Sequence, residues 1–331
     1  MSTPTLIEHL HSSEQLHPGA TGELSHILAR LSLAGRMIAQ RLLNAGFLGE
    51  HGETGVINVQ GERVQKLDEL ADSIFVRLFE SDPGVCALAS EERSKIHAYD
   101  NEESRRAKYL ILYDPLDGSG NIDINGSLGT IFSVHARRDL ATTVSEQDFL
   151  QPGRSQIAAG YILYGPATVF VYTVDEVSGV NGFTLDRSIG EFFLTHPHVA
   201  MPEGGGAYSV NESNEPKWDD KVKELVASYR QGRAPVGKRA ARYTGALVAD
   251  FHRTLLQGGI FLYPGLSDRP RGKLRYLYEA SPLALIAERA GGAATDGSQR
   301  ALDLEPTELH ERCPLFIGSK ADVEYAGSCL A

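Results

Sequence analysis

Four acidic side chains in the first half of the sequence come directly after two short apolar segments. Glu91 and Glu92 follow "GVCALAS", and Asp114 and Asp117 follow "YLILY" within the stretch "YLILYDPLDGSGN". We expect both apolar segments to be strands, and ligands of α/β proteins bind in crevices at the carboxyl ends of strands. Carboxylates held a few ångströms apart repel each other unless a cation neutralises them. Oxygen donors suit hard divalent cations, so the pattern predicts a Mg²⁺ or Mn²⁺ site.

The turn after these aspartates suits the close approach of an anion. Pro115 biases Asp114 toward an extended conformation, and Gly118 and Gly120 allow the backbone to come close to a ligand. Successive backbone N–H groups in such a turn form a small anion-binding concavity. Carboxylates for a metal, followed by a glycine turn for an anion, predict a phosphate site that metal ions bridge.

An ordinary structural interpretation competes with this one. Asp and Gly are common in turns that bind nothing, and a pair of glutamates after a strand is often part of an exposed loop. Each motif alone is compatible with that interpretation. Both motifs after successive predicted strands favour the metal site, whose cations would also supply the positive charge that an acidic protein lacks.

Composition limits the possible partners. The chain has 331 residues, of which 42% are hydrophobic and 23% charged, and its net charge is -11. The length suggests about two domains, and an acidic surface repels nucleic acid and anionic membranes, so we expect neither as a partner. We find no transmembrane run and no signal-peptide pattern. Three cysteines without metal spacing fit a reducing cytoplasm, where we expect the protein to act.

Hydrophobic spacing predicts the elements that position the acidic residues. Apolar residues recur at helical spacing over 21–43, with Thr21 as the N-cap, and again over 63–80. The segment 48–62 between these helices holds four glycines and is expected to be a mobile loop. Strands are predicted at 84–90, 109–113, 129–135, 179–185 and 191–195, with a hairpin over 158–174 that turns at Gly165 and Pro166.

A segment rich in proline and glycine divides the chain. The stretch "HPHVAMPEGGG" covers 196–206, so we predict an N-terminal domain over 1–195 and a C-terminal domain over 196–331. Helices and strands alternate beyond it, which is typical of an α/β domain. Helices are predicted at 219–230, 244–257 and from Ser281, which serves as N-cap, to a stop at Gly291, and strands at 259–264 and 314–319.

Five segments together closely resemble the class I fructose-1,6-bisphosphatase family. They are "ASEERSK", "YDPLDGSGNIDINGSLGTIFSVH", "AAGYILYGPATVFVYT", "ARYTGALVADFHRTLLQGGIFLYP" and "GKLRYLYEASPLALIAERAGG". The acidic motifs alone are shared with the wider inositol-monophosphatase-like superfamily of lithium-sensitive phosphatases. The segments from Ala241 to Glu279 resemble the sugar-bisphosphatase branch much more narrowly.

The resemblance implies a five-layer α/β/α/β/α sandwich of two domains and a homotetramer. It implies hydrolysis of the 1-phosphate of fructose 1,6-bisphosphate with two or three Mg²⁺ per subunit, or Mn²⁺, in gluconeogenesis or the Calvin cycle. The implied metal ligands are Glu91, Glu92, Asp114, Asp117, Glu279 and the carbonyl of Leu116. The implied substrate contacts are Asp117, Gly118, Ser119, Gly120, Asn211, Tyr243, Tyr263, Lys273 and, from a neighbouring subunit, Arg242.

The resemblance also implies how water is activated and how the site closes. Asp68, together with Glu92, would activate the attacking water. The loop 49–62 would close over the site, as lids that exclude water do. Glu62 in that loop would pair with Arg275, although the family usually has aspartate at the position of Glu62.

Two substrate contacts depart from the family. Gly120 stands where the family usually has serine, so a backbone contact survives there and a hydroxyl contact does not. Asn214 stands where the family often has a tyrosine, three residues after Asn211, so one contact to the 6-phosphate differs.

An effector site for AMP is implied as well. It would use a helix N-terminus, which suits a phosphate, and a second segment of the chain: Thr21, Gly22, Glu23, Leu24, Lys108 and Tyr109. The arginine that the family has after the strand "GTIFSV" falls on Ala136 here, with Arg137 beside it, so inhibition by AMP stays open.

Three other functions remain compatible with the sequence. A dual enzyme that also hydrolyses sedoheptulose 1,7-bisphosphate would use the same residues, because the two substrates have similar ends. An inositol-type or nucleotide monophosphatase would share the acidic motifs, but Arg242, Tyr263 and Lys273 offer a second phosphate subsite that it would not need. A catalytically silent metabolite sensor on the same fold would not require the full acidic set.

Overall fold

A computed structural model of the chain describes residues 3–15, 21–48, 52–57, 63–174 and 177–331. Its helices are α1 (Leu6–Gln15), α2 (Glu23–Leu48), α3 (Lys66–Phe79), α4 (Glu102–Arg106), α5 (Glu146–Phe149), α6 (Asp220–Gln231), α7 (Leu247–Gln257), α8 (Ser281–Arg289) and α9 (Lys320–Leu330). Its strands are β1 (Glu53–Ile57), β2 (Arg63–Gln65), β3 (Val85–Ser90), β4 (His97–Ala98), β5 (Tyr109–Asp117), β6 (Leu128–Ala136), β7 (Ala158–Tyr164), β8 (Thr168–Thr173), β9 (Val180–Asp186), β10 (Glu191–His196), β11 (Ala207–Ser209), β12 (Ala240–Ala241), β13 (Gly259–Tyr263), β14 (Ala293–Thr295) and β15 (Leu315–Gly318).

The larger sheet has the strand order β10-β9-β8-β7-β6-β5-β3-β4. Neighbouring strands are antiparallel except for β3 and β5, which run in parallel with Ser90 opposite Tyr113. Because parallel strands end at the same edge of a sheet, the residues that follow β3 lie next to the last residues of β5. This single parallel pair therefore brings the two acidic motifs to one place.

The smaller sheet has the order β12-β11-β13-β15-β14 and mixes parallel with antiparallel pairs. Side chains alternate between its two faces, as the strand period requires. Phe261 of β13 packs toward α7 and α8, whereas its neighbours Ile260 and Leu262 pack toward α6 and α9. Both faces of this sheet are therefore covered by helices.

Three apolar clusters show how the layers stack. Helices α1, α2 and α3 cover one face of the larger sheet. Helices α7 and α8 lie between the other face of that sheet and the smaller sheet. Helices α6 and α9 close the outer face of the smaller sheet. The order α/β/α/β/α confirms the predicted five-layer sandwich, and the division into domains at 195 and 196 stays a prediction.

Most predicted elements are present, with three corrections at their boundaries. The segment 48–62 is not all loop, because β1 lies within it and pairs with β2. Thr21 is not the N-cap of α2: the first intrahelical bond, from His26 N–H, is accepted by the carbonyl of Gly22. Ser281 does not cap α8 either, because a π-helical turn, Tyr276–Ala280, runs directly into that helix.

Within the described ranges, we find no helix with the length and apolar character needed to cross a membrane.

The contact between β6 and α7 is tight enough to be tested by one methyl group. A Cβ atom added at Gly129 would lie 2.5 Å from Cβ of Val248. We expect Gly129→Ala to lower the free energy of unfolding by about 1–3 kcal/mol through overpacking, measured by urea denaturation. Gly327→Ala is the matched control, because its methyl group would meet no atom within 4 Å and lies in α9. Equal stability of the two variants would contradict the tight contact.

Candidate active site

Three carboxylates from distant parts of the chain meet at the carboxyl edge of the larger sheet. Glu91 follows β3, Asp114 lies in β5, and Glu279 lies in the π-helical turn before α8. One carboxylate oxygen from each lies within 4.8 Å of the other two, and the three residues are at most 6% exposed. We call these three residues the carboxylate cluster. Its oxygen-only donors suit a hard divalent cation.

A bulge in β5 explains why two aspartates of this strand can serve one site. Asp114 pairs with Ile131 of β6, whereas Asp117 pairs with Gly129, so β5 contains one extra residue. In a regular strand, residues three apart face opposite sides, and a bulge redirects one of them. The backbone N–H of Leu116 donates to Asp114 Oδ1 at 2.9 Å and holds the bend.

Asp117 connects the larger sheet to the second half of the chain. Its Oδ2 atom accepts a hydrogen bond of 2.7 Å from the backbone N–H of Val248, the second residue of α7. A carboxylate at a helix N-terminus is stabilised by the partial positive charge of the helix dipole. The residue predicted as a metal ligand therefore also fixes the position of α7.

A buried arginine approaches the carboxylate cluster. Arg275 Nη1 lies 2.8 Å from Glu91 Oε1, and the backbone N–H of Arg275 donates to Glu279. Arg275 is 3% exposed, so this ion pair is shielded from water. Glu62, its partner in the predicted closed loop, lies outside the described residues.

Burial changes the proton affinity of these acids. Burial and the negative charge of Glu91 raise the pKa of Asp114 well above its usual range. Burial raises the pKa of Asp117 to about 7, although backbone N–H donors oppose the change. Burial also raises the pKa of Glu279 to about 7 against the opposing charge of Arg275. Such groups ionise at neutral pH more readily when a cation stabilises their charge.

One cavity of about 350 Å³ collects most of the predicted site residues. Gly118 has a φ of +80°, and a Cβ atom there would lie 2.7 Å from Cβ of Ala246. A left-handed residue followed by the 3-10 turn Ser119–Asn121 orients successive amides as in an anion-binding nest. The predicted residues that line the cavity are Glu91, Glu92, Asp114, Leu116, Asp117, Gly118, Ser119, Gly120, Asn211, Tyr243, Tyr263, Lys273, Arg275 and Glu279.

Among the predicted catalytic, metal and substrate residues that the structure describes, two do not line this cavity. Asp68 is buried in α3, with 3% exposure. Arg242 is exposed, and its Nη1 atom donates to the carbonyl of Ala241. The roles assigned to Asp68 and Arg242 stay predictions.

Sequence reasoning missed a network behind the cavity. Arg93 Nη2 lies 2.6 Å from Asp72 Oδ2, and the hydroxyl of Tyr113 donates to Asp72 Oδ1 at 2.8 Å. Because Arg93 comes directly after Glu92, this network ties the glutamate turn to α3. The sequence signal for this network was Asp72, an acidic residue beside the apolar stripe of the predicted helix 63–80.

A second network holds the loop that carries Tyr243. The backbone N–H and hydroxyl of Thr244 donate to the buried carboxylate of Asp250 in α7, which also pairs with Arg253 at 2.7 Å. Tyr243 is thereby fixed between β12 and α7. No standard capping spacing joins Thr244 to Asp250, so local sequence patterns do not predict this contact.

The two segments of the predicted effector site lie next to each other. The hydroxyl of Thr21 donates to Glu23 at 3.0 Å, and Glu23 also pairs with Lys108. The Lys108 Nζ atom lies 5.1 Å from the ring centre of Tyr109. Binding of AMP at this place stays a prediction.

Models of known protein families match almost the whole chain. The model "Fructose-1-6-bisphosphatase, N-terminal domain" matches residues 4–197, and the corresponding C-terminal model matches residues 201–331. The chain belongs to the fructose-1,6-bisphosphatase family. The protein is therefore a phosphatase, as the sequence analysis predicted.

Individual relatives agree with this membership. "Fructose-1,6-bisphosphatase class 1" of Nitratidesulfovibrio vulgaris (strain DP4) is 49% identical over 329 residues, which cover 98% of this chain and 97% of the relative. The Lawsonia intracellularis protein of the same description is 48% identical over 333 residues, with 100% and 98% coverage. Leishmania major fructose-1,6-bisphosphatase in holo form superposes with a TM-score of 0.92 at 37% identity, covering 99% of both chains. Its T-state gives a TM-score of 0.88.

Membership of this family implies a divalent metal cofactor, and the carboxylate cluster fits one. The cluster offers buried oxygen donors with raised pKa values, and it has no nitrogen or sulfur donor that would favour zinc.

Mg²⁺ is expected to stabilise the protein more at pH 8 than at pH 6. Asp117 and Glu279 have higher pKa values in the folded protein than in the unfolded chain. Their contribution to stability is therefore present at low pH and is lost as the pH rises through about 7. A cation that binds the ionised carboxylates restores it.

The measurement is the Tm with a chelator and with saturating Mg²⁺ at both pH values. Glu279→Gln should reduce the pH dependence of the Mg²⁺ effect, whereas Glu103→Gln, an exposed change on α4, should leave it unchanged. An equal Mg²⁺ effect at both pH values would contradict the expectation.

Proposed function

We propose that this protein hydrolyses the 1-phosphate of fructose 1,6-bisphosphate to fructose 6-phosphate and phosphate with Mg²⁺. The observation that carries the proposal is one cavity that is lined by residues from both halves of the chain. The first half of the chain supplies acids and a glycine turn for metal and phosphate. The second half supplies an amide, two tyrosines and a lysine suited to a sugar phosphate.

The metal ions would be held by the carboxylate cluster with Asp117, Glu92 and the carbonyl of Leu116. When bound, such ions polarise the phosphoryl oxygens and lower the pKa of coordinated water. Arg275 pairs with Glu91 at 2.8 Å. This ion pair partly neutralises the Glu91 carboxylate and would hold that carboxylate in one orientation. Three or more carboxylates give the site the negative charge that two or three Mg²⁺ require, and Mn²⁺ has the same preference for oxygen.

The 1-phosphate would be bound by backbone amides of Gly118, Ser119 and Gly120. A main-chain contact does not depend on the side chain, so glycine in place of serine at position 120 leaves it possible. The close packing of Gly118 against Ala246 leaves no room for a side chain in this turn. The turn would thus hold the phosphoryl group in line with the attacking water.

Glu92 and Asp68 would handle the proton of the attacking water. Glu92 lines the cavity in which the attacking water would lie, which supports this role. Asp68 lies buried in α3 and would act from behind the cavity. Closure of the loop 49–62, with Glu62 approaching Arg275, would exclude bulk water during the reaction.

The sugar and its 6-phosphate would be bound by Asn211, Tyr243, Tyr263 and Lys273. The charge of Lys273 suits a phosphate, and such a second phosphate subsite favours a bisphosphatase over a monophosphatase. Arg242 is exposed beside Tyr243, as expected of a residue that reaches a neighbouring subunit of a homotetramer. If AMP is an effector, it would bind at the site with Thr21 and Lys108.

Phosphate release from fructose 1,6-bisphosphate, with and without Mg²⁺, tests the proposal. We expect phosphate release from fructose 1,6-bisphosphate to depend on Mg²⁺. At the same substrate concentration, this release should be at least about tenfold faster than release from inositol 1-phosphate, because only the bisphosphate fills both phosphate subsites. Faster release from inositol 1-phosphate would favour the monophosphatase. Tight binding of the bisphosphate without release would favour the silent sensor.

Asp117→Asn is expected to lower turnover by at least about 10²-fold, comparable to the loss of an important electrostatic group. Asparagine also accepts hydrogen bonds at helix N-termini, so the contact to α7 is preserved while the charge is lost. Asp123→Asn, an exposed change that does not line the cavity, is the control. Near-normal turnover of Asp117→Asn with normal metal binding would contradict the assignment.

A further inference from the structure

Hydrogen bonds hold the glutamate turn, residues 91–93, from several directions. The backbone N–H of Glu91 donates to the carbonyl of Tyr113 at 3.1 Å, and the N–H of Arg93 donates to the carbonyl of Ser90 at 3.2 Å. The side chain of Arg93 pairs with Asp72 of α3 at 2.6 Å. All of these partners belong to the first half of the chain.

His310 adds a contact from the second half of the chain. Its Nε2 atom lies 2.9 Å from the carbonyl oxygen of Arg93. A carbonyl oxygen only accepts hydrogen bonds, so Nε2 carries the proton and is the donor. His310 is half-buried, which partly shields this bond from water. One imidazole thus joins the glutamate turn to a segment that lies 217 residues away in the sequence.

The same imidazole also packs against the π-helical turn that carries Glu279. The ring centres of His310 and Tyr278 lie 5.3 Å apart, and their planes are tilted by 44°. Tyr278 is fully buried and directly precedes Glu279. His310 therefore contacts both turns that supply carboxylates to the cavity.

Backbone pairing fixes the segment from which His310 extends. Arg275 and Arg312 form an isolated antiparallel bridge, and the N–H of Tyr276 donates to the carbonyl of Glu311 at 2.8 Å. The segment with His310 is thereby paired with the stretch that leads into the π-helical turn. A side chain on such a segment reaches the Arg93 carbonyl from a defined position.

We propose that His310 is a positioning residue, which orients Glu92 for the activation of water by holding the carbonyl of Arg93. This inference rests on the proposed function, in which Glu92 handles the proton of the attacking water. Arg93 directly follows Glu92 and is held at its side chain by Asp72 and at its carbonyl by His310. With both contacts in place, rotation of the turn is restricted and Glu92 keeps one direction. A shift of about 1 Å in a catalytic group can lower the rate by about 10²-fold.

Three substitutions separate the hydrogen bond of His310 from the packing of its ring. His310→Phe keeps a ring beside Tyr278 and removes the donor. His310→Gln removes the ring and keeps an amide donor that reaches about as far as Nε2. His310→Asn carries the same amide on a side chain that is one carbon shorter and falls short of the Arg93 carbonyl.

We expect His310→Phe to lower kcat for fructose 1,6-bisphosphate by about tenfold or more and to change KM by less than about threefold. The split is expected because the lost bond orients a carboxylate that acts on water and does not bind the sugar phosphate. His310→Gln should keep kcat within about threefold of the parent value. The rise in Tm with saturating Mg²⁺ should also be smaller in His310→Phe than in the parent, because the same turn supplies two proposed metal ligands.

His252→Phe is the matched control. His252 is likewise half-buried, and its Nδ1 atom lies 2.7 Å from the hydroxyl of Tyr161. It does not line the substrate cavity. We therefore expect His252→Phe to lower the Tm of the enzyme while kcat and the effect of Mg²⁺ on the Tm stay unchanged.

Two results would overturn the positioning role and leave the proposed function standing. One is a kcat of His310→Phe within about threefold of the parent value, and the other is a kcat of His310→Gln as low as that of His310→Phe. If His310→Phe does not fold, equal kcat values of His310→Gln and His310→Asn would overturn the role in its place. No hydrolysis of fructose 1,6-bisphosphate by the parent enzyme would overturn the proposed function, and the inference with it.

Discussion

Repulsion among buried carboxylates constrains how the two halves of this chain fit together. Oxygens of Glu91, Asp114 and Glu279 lie within 4.8 Å of one another in a region that water hardly reaches. In such a medium like charges interact strongly, so each acid needs a compensating group. Arg275 lies against Glu91, and the N-terminus of α7 lies against Asp117. Both compensating groups belong to the second half of the chain. The negative charges of Glu91 and Asp117 in the first half are therefore compensated only when the second half is in place.

The architecture then separates the chemistry from the recognition of the substrate. The parallel pair of β3 and β5 and the bulge in β5 fix the acids, and both features are internal to a sheet that is covered on both faces. The residues proposed to bind the sugar phosphate lie instead around the smaller sheet, after β11 and β12, at the end of β13 and in the loop that follows β13. Connections tolerate substitution better than buried strands do. Changes in these connections can thus alter the residues around the cavity without disturbing the acids.

The sequence predicted those parts of the site that a local pattern encodes. Strands that end in acids, a glycine turn and amphipathic helices are short-range signals, and the predicted five-layer fold and family agree with the structure. Glu279 could be assigned only through the resemblance, because no local pattern joins a π-helical turn to a sheet edge far away in the sequence. The bulge in β5 and the contact of Asp117 with Val248 depend on tertiary packing. Thr21 and Ser281 were misplaced as caps because their neighbours, Gly22 and the π-helical turn, determine where α2 and α8 begin.

The contact between Asp117 and α7 has a consequence for synthesis of the protein. A ribosome releases the chain from its N-terminus, and folding of the emerging part begins before the rest exists. All strands of the larger sheet are complete at His196, while α7 and Glu279 are still to be made. The nascent larger sheet therefore carries Glu91, Asp114 and Asp117 without the arginine and the helix that later compensate them. A larger sheet that formed at this stage would carry its acids at an open, hydrated edge, and their burial would be completed only once the second half is present.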